Sequence, residues 1–255
     1  MNAVAATTLE RFLRRDRMVI ATVLIALTIV CWLQMWPAHG EGSNQLMPCC
    51  GATFSIAFWM WVVMMTGMMI PSVAPMVLAH AGIVRRRVDR GAPYIPSALF
   101  LAGYLIAWSL FSFVAATAQW LLYHSHLLDG RSLSIGPWAG ALVLVIAGAF
   151  QFSPAKNACL AQCRAPVGYF MTEWREGRRG AVAMGLRHGL FCIGCCWLLM
   201  AVLFSAGIMN LLWGAIITAF VILEKVFPWP RLVVTIGALS CFVGAAVLVS
   251  RTLLH

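Results

Sequence analysis

The sequence is poor in charge. Only 10% of its 255 residues are Asp, Glu, Lys or Arg, where a soluble domain carries about 25%. Acidic residues are scarcest, at eight in all, so hydrolysis by paired carboxylates has few candidates. No Ser-His-Asp set, phosphate loop, internal repeat or low-complexity segment is present. No thioredoxin-like or quinone-site signature appears, and no energy-coupling element. The apolar runs do not alternate with polar residues, which argues against a β-barrel. There is no soluble domain to hold a basic face, so the net charge of +10 does not point to nucleic acid.

What is abundant is hydrocarbon. Hydrophobic residues make up 62% of the chain, and several continuous runs reach the ~20 residues a helix needs to cross a bilayer. The reading is an all-α, polytopic transmembrane helix bundle forming a single integral membrane domain over residues 1–255. Seven helices are expected near 18–37, 55–83, 97–123, 137–153, 183–206, 209–226 and 231–250. The fifth and sixth are split at Gly207-Ile208-Met209-Asn210. Helix 1 reads as a retained signal anchor, because its apolar stretch exceeds a signal-peptide core of about 7–15 residues.

The positive charges give an orientation. Lys and Arg fall before helix 1, after helix 2, between helices 4 and 5 and between helices 6 and 7; only Arg131 and Arg251 fall on the other side. The positive-inside rule then puts the N-terminus in the cytoplasm and the C-terminus outside, in a bacterial cytoplasmic (inner) membrane, with the lipid bilayer as constant partner.

The nine cysteines sort by side. Cys49 and Cys50 precede helix 2 on the outer side. Cys31 and Cys241 sit inside spans. Cys159, Cys163, Cys192, Cys195 and Cys196 lie toward the cytoplasm, where thiols stay reduced. In HGLFCIGCCWLLM, at about 100° per residue, His188, Cys192, Cys195 and Cys196 share an arc of roughly 100°. A second helix after Pro154 would carry Cys159 and Cys163 one turn apart, with Lys156 on the same face. Their meeting would make a thiol and imidazole site suited to Cu(I), with Zn(II) as the alternative, and Lys156 would offset thiolate charge. Against this stands plain packing, in which Gly194, Cys195 and Cys196 are small residues that let two helices approach.

Helix 2 adds methionine. The segment 58–80 holds six of the 14 in the chain. Met65, Met69, Met76 and His80 form one stripe, and Met60, Met64 and Met68 a neighbouring one, while Pro71 and Pro75 interrupt the helix. Thioethers suit Cu(I) and have little use for harder ions, although methionine is also a flexible core filler. With His39, Met47, Cys49 and Cys50 as outer-loop ligands, the order is outer Met/Cys/His, Met stripe, inner Cys/His, as a Cu(I) path requires. Glu224 and Lys225 are accessory charges at the end of helix 6. His124 and His126 read as solvated loop histidines.

Taken together, MMTGMMIPSVAPM, FQFSPAKNACLAQCRAP, GLRHGLFCIGCCWLLM, MNLLW and the EK pair at 224–225 resemble a bacterial family of predicted metal-binding integral membrane proteins, some of whose members are labelled copper chaperones. The resemblance covers about residues 55–250. It implies motif positions at Met64, Met65, Met68, Met69, Lys156, Cys159, Cys163, His188, Cys192, Cys195, Cys196, Glu224 and Lys225.

Three functions compete. The first is a non-enzymatic membrane protein that transports or delivers Cu(I), handing it to a soluble metal-binding partner or a larger membrane complex. The second is a structural or assembly subunit of a membrane complex. The third is a membrane thiol-disulfide oxidoreductase using the Cys192-x-x-Cys195 pair.

Overall fold

A computed structural model describes residues 2–35, 53–129, 133–208 and 210–254. His39, Met47, Cys49 and Cys50 lie outside them. Among the described residues the chain is helical, with no strand. The helices are α1 (Asn2–Met35), α2 (Phe54–Val88), α3 (Ser97–His124), α4 (Pro137–Phe150), α5 (Pro154–Arg164), α6 (Pro166–Glu173), α7 (Gly177–Ala201), α8 (Leu203–Ala206), α9 (Leu211–Val226) and α10 (Pro230–Leu253).

Among the described residues, five stretches are long and apolar enough to cross a membrane: Met18–Met35, Phe54–Val88, Ser97–His124, Gly177–Ala206 and Arg231–Leu253. A sixth appears if α4 and α5 count as one bent span. The run expected at 137–153 therefore ends sooner. It stops at Phe150, and after a 66° bend the chain restarts as α5. The restart is local chemistry: Ser153 accepts a hydrogen bond from the Ala155 amide at 3.2 Å, and Pro154 sits in the first turn, where its missing N–H costs nothing. α9 is 16 residues, short of a full bilayer crossing. Gly207, at φ 92°, supplies the positive-φ turn that separates α8 from α9, at the split expected from sequence.

α2 runs unbroken through Pro71 and Pro75. A proline cannot donate to the carbonyl four residues back. For Pro71 that carbonyl is Gly67, and the indole N–H of Trp32 in α1 donates to it instead, at 3.3 Å. A neighbouring helix thus satisfies the freed group, as a low-dielectric setting demands. Arg85, Arg86 and Arg87 end α2, where cations complement the helix dipole.

The tightest helix pair is α3 with α7. Gly103 and Gly185 make this contact possible. A Cβ on Gly185 would run into the backbone carbonyl of Phe100, and one on Gly103 into that of Val182. Small residues let backbones approach where no hydrophobic force drives association. α2 packs on α3, α1 lies outside α2, α5 packs on α7, and α4 pairs with α10 as an outer layer. The core between α2, α3 and α7 holds Trp61, Met65, Met68, Met69, Phe100, Tyr104, Cys192 and Met200, each at most 1% exposed.

Candidate metal centre

α7 projects three thiols from consecutive turns. Cys192, Cys195 and Cys196 are all buried, and the Sγ atoms of Cys195 and Cys196 donate to the Cys192 carbonyl at 3.0 and 2.9 Å. α5, turned by the 66° bend, brings Cys163 against them. The Sγ atoms of Cys163, Cys192 and Cys195 lie within 4.8 Å of one another. Three sulfurs each 2.3 Å from a common ion would sit about 4.0 Å apart, so the trio needs only a small contraction to close on one. Cys196 adjoins Cys192 and Cys195. Cys159, one turn before Cys163, is only half-buried. Its Sγ occupies the space that a side chain on Gly194 would fill, 2.8 Å from where a Cβ would stand, which gives that glycine its reason.

Cys192 has a polar shell drawn from three further helices. The Tyr104 hydroxyl of α3 lies 3.2 Å from its sulfur and 3.5 Å from the Met69 carbonyl. Lys225 of α9 donates to the same sulfur at 3.1 Å and to Ser72 of α2 at 2.9 Å. A cation is thus fixed beside the thiols, and it offsets negative charge that three thiolates would gather in an apolar core. A second buried charge pair holds α5 in place. Lys156 bonds Glu224 at 2.6 Å and also the Gln151 side chain, and Arg164 donates to the Glu224 carbonyl at 2.8 Å.

The other predicted residues are distributed around this centre. His188 shares the α7 face but stands one turn away from Cys192. Its ring sits among Tyr169, Tyr104 and Phe100, with centroids at 5.2, 5.8 and 6.0 Å, and Nδ1 has no hydrogen-bond partner among the described residues. Met64, Met65, Met68, Met69 and Met76 are buried along α2. Met69 is linked to the centre through Ser72, whose hydroxyl lies 3.9 Å from its sulfur and accepts from Lys225. His80 lies two turns beyond Ser72, bonded to Ser97 at 2.9 Å and stacked on Phe100 and Trp174. It is remote from the thiols but shares Phe100 with His188.

Sequence reasoning missed Tyr104, Ser72 and Gln151. Each is a polar residue inside an apolar run. Tyr104, one of four tyrosines in the chain, was the most findable, because a mid-span hydroxyl requires a partner.

The donor set is soft and anionic, with thioethers behind it. It fits Cu(I), and also Zn(II) if a fourth ligand closes the shell. The family model described as copper chaperone, PpoB2, matches residues 58–248, which include every residue of this centre, and the chain belongs to that family. No curated protein and no solved structure matches the chain.

Proposed function

We propose that this member of the copper chaperone family is a membrane protein that takes up Cu(I) at the Cys163/Cys192/Cys195 trio and passes it on, by transport or by delivery to a partner. The observation that carries the reading is the meeting of three buried thiols from two helices within 4.8 Å. Copper is the cargo, and no bond is made or broken in a substrate, so the activity is not enzymatic.

Three features favour Cu(I) over Zn(II). Three sulfurs match a trigonal ion, whereas structural zinc is four-coordinate. The fixed ammonium of Lys225 beside the trio disfavours a dication more than a monocation. The buried methionines of α2 offer ligands that only a soft ion uses. His188 and Cys196 are reserve ligands during exchange, and Cys159, half-exposed, is the thiol a partner reaches first. The N-terminus lies in the cytoplasm and the C-terminus outside in a bacterial inner membrane, with seven membrane-embedded helices once α4 and α9 are included. The Lys and Arg residues of the loops support that orientation.

The test is metal content. The protein, purified anaerobically with a reductant, retains copper, and the C163S/C192S/C195S variant does not, both measured by mass spectrometry. Zinc in place of copper would reassign the cargo. No metal in either sample would overturn the reading in favour of a packing or thiol-redox role.

A further inference from the structure

At the end of the bundle opposite Arg85–Arg87, a cavity of about 270 Å³ opens between the C-terminal end of α1, the first turns of α2 and the start of α9. Thirteen of the described residues line it, and four of them, Met35, Met60, Met64 and Met68, are methionine, in a chain with 14 methionines among 255 residues. The four come from two helices, so the enrichment is not the by-product of a single stripe. Met35 and Met60 are half-buried at the mouth, while Met64 and Met68 are buried at the floor. Among the described residues, no charged side chain lines the cavity. The soft donors among its described lining residues are thioethers, which bind monovalent soft ions without releasing a proton and have little affinity for hard ones.

The floor leads toward the trio. Met68 and Ser72 are four apart on one face of α2, about 6 Å along the axis. Ser72 holds Lys225, and Lys225 holds Cys192. One helical turn and one lysine therefore separate the last thioether of the cavity from the first thiol of the centre. Neutral sulfur ligands hold Cu(I) less tightly than thiolates do, and a site that is weaker and nearer the surface is what an ion needs to enter or leave a deep one.

We infer that this cavity is a second soft-cation site, a thioether vestibule built by Met60, Met64 and Met68 with Met35 at its rim, that holds a monovalent ion on its way to or from the thiol trio. The inference rests on the reading of the chain as a Cu(I) handler.

Silver(I), a monovalent soft ion without redox chemistry, is the probe. The intact protein in detergent is titrated with Ag(I), as wild type and as C163S/C192S/C195S, each with and without M60L/M64L/M68L. Leucine conserves the volume of methionine. In both backgrounds the leucine substitutions remove one bound Ag(I). If they leave the stoichiometry unchanged in both, the vestibule is overturned, and the loss caused by the cysteine substitutions alone still decides the thiol site. If only the leucine substitutions lower it, the vestibule stands and the trio reading falls. A second readout needs no variant. Ag(I) at ten times its dissociation constant slows peroxide oxidation of Met60 and Met64 about tenfold, with Met171, 80% exposed, unaffected. Equal slowing, or none, at the three residues overturns the proposal.

Discussion

Breaking the Lys156–Glu224 pair has a calculable cost. Both side chains are sealed from solvent, at 0% and 2% exposure, with 2.6 Å between their charges. Removing one member leaves the other ionised in a low-dielectric core, which costs about 3–5 kcal/mol. Glu224→Gln tests this with little change of shape: Lys156 keeps an acceptor but loses its counter-charge. Lys156→Met removes the ammonium and also strands the Gln151 side chain, adding about 1–3 kcal/mol for an unpaired buried group. When both are replaced, as K156M/E224M, no charge is left unpaired and only the Gln151 penalty remains, about 1–3 kcal/mol. A double-mutant cycle of E224M, K156M and K156M/E224M therefore yields a coupling energy of about 6 kcal/mol or more, since each single strands a buried charge and the double strands none. Equilibrium unfolding in SDS mixed micelles, followed by the fluorescence of the 11 tryptophans, measures it. The single variants also bind copper more weakly, because the pair fixes α5 and hence Cys163. Additive single costs below about 1 kcal/mol each would refute the reasoning and show that water reaches the pair.

Three further outcomes follow from the same geometry. Tyr104→Phe removes the hydroxyl 3.2 Å from Cys192 and keeps the ring; Cu(I) affinity, read by chelator competition, falls about 5- to 10-fold, and an unchanged affinity would show that the hydroxyl serves only the Met69 carbonyl. Gly185→Ala drives a methyl into the Phe100 carbonyl and costs about 1–3 kcal/mol, whereas Gly168→Ala, whose Cβ meets Ala165 at an ordinary 3.6 Å, is tolerated; equal unfolding curves would mean that α3 and α7 separate freely. In the folded protein a maleimide modifies half-buried Cys159 before buried Cys163, Cys192, Cys195 and Cys196, as peptide mass spectrometry would show; similar rates at all five would mean that the centre opens readily.

The helices were legible because hydrophobic run length is a local property. So was the shared face of Cys192, Cys195 and Cys196, since spacings of three and four fix an arc whatever surrounds the helix. The partner across the gap was only half legible. CxxxC after Pro154 marks α5 as a thiol helix, but the 66° bend decides that Cys163 enters the centre while Cys159 stays at its edge, and that bend depends on a three-residue break that hydropathy does not register. His188 shows the other limit. Its spacing puts it on the thiol face, yet the ring is claimed by Tyr169 of the preceding helix and by Phe100 and Tyr104 of a helix far away in sequence. Tyr104, Ser72 and Lys225 converge on Cys192 from three helices, and no local pattern predicts such a convergence.

The way α5 is tied down has a mechanical corollary. Lys156 and Arg164 both fasten it to α9, through Glu224, while its chain link to α4 is the short break after Phe150. α5 and α9 are thus tied to each other as well as to α7, on which α5 packs and to whose Cys192 α9 is bonded through Lys225. A tilt of the α5 and α9 pair that gave up these contacts would carry Cys163 away and leave Cys192 and Cys195 in place on one helix, so an ion held there would pass from three sulfurs to two without any helix unwinding. Coordination number would then be the clutch: engaged when the pair is seated on α7, slipping when it swings.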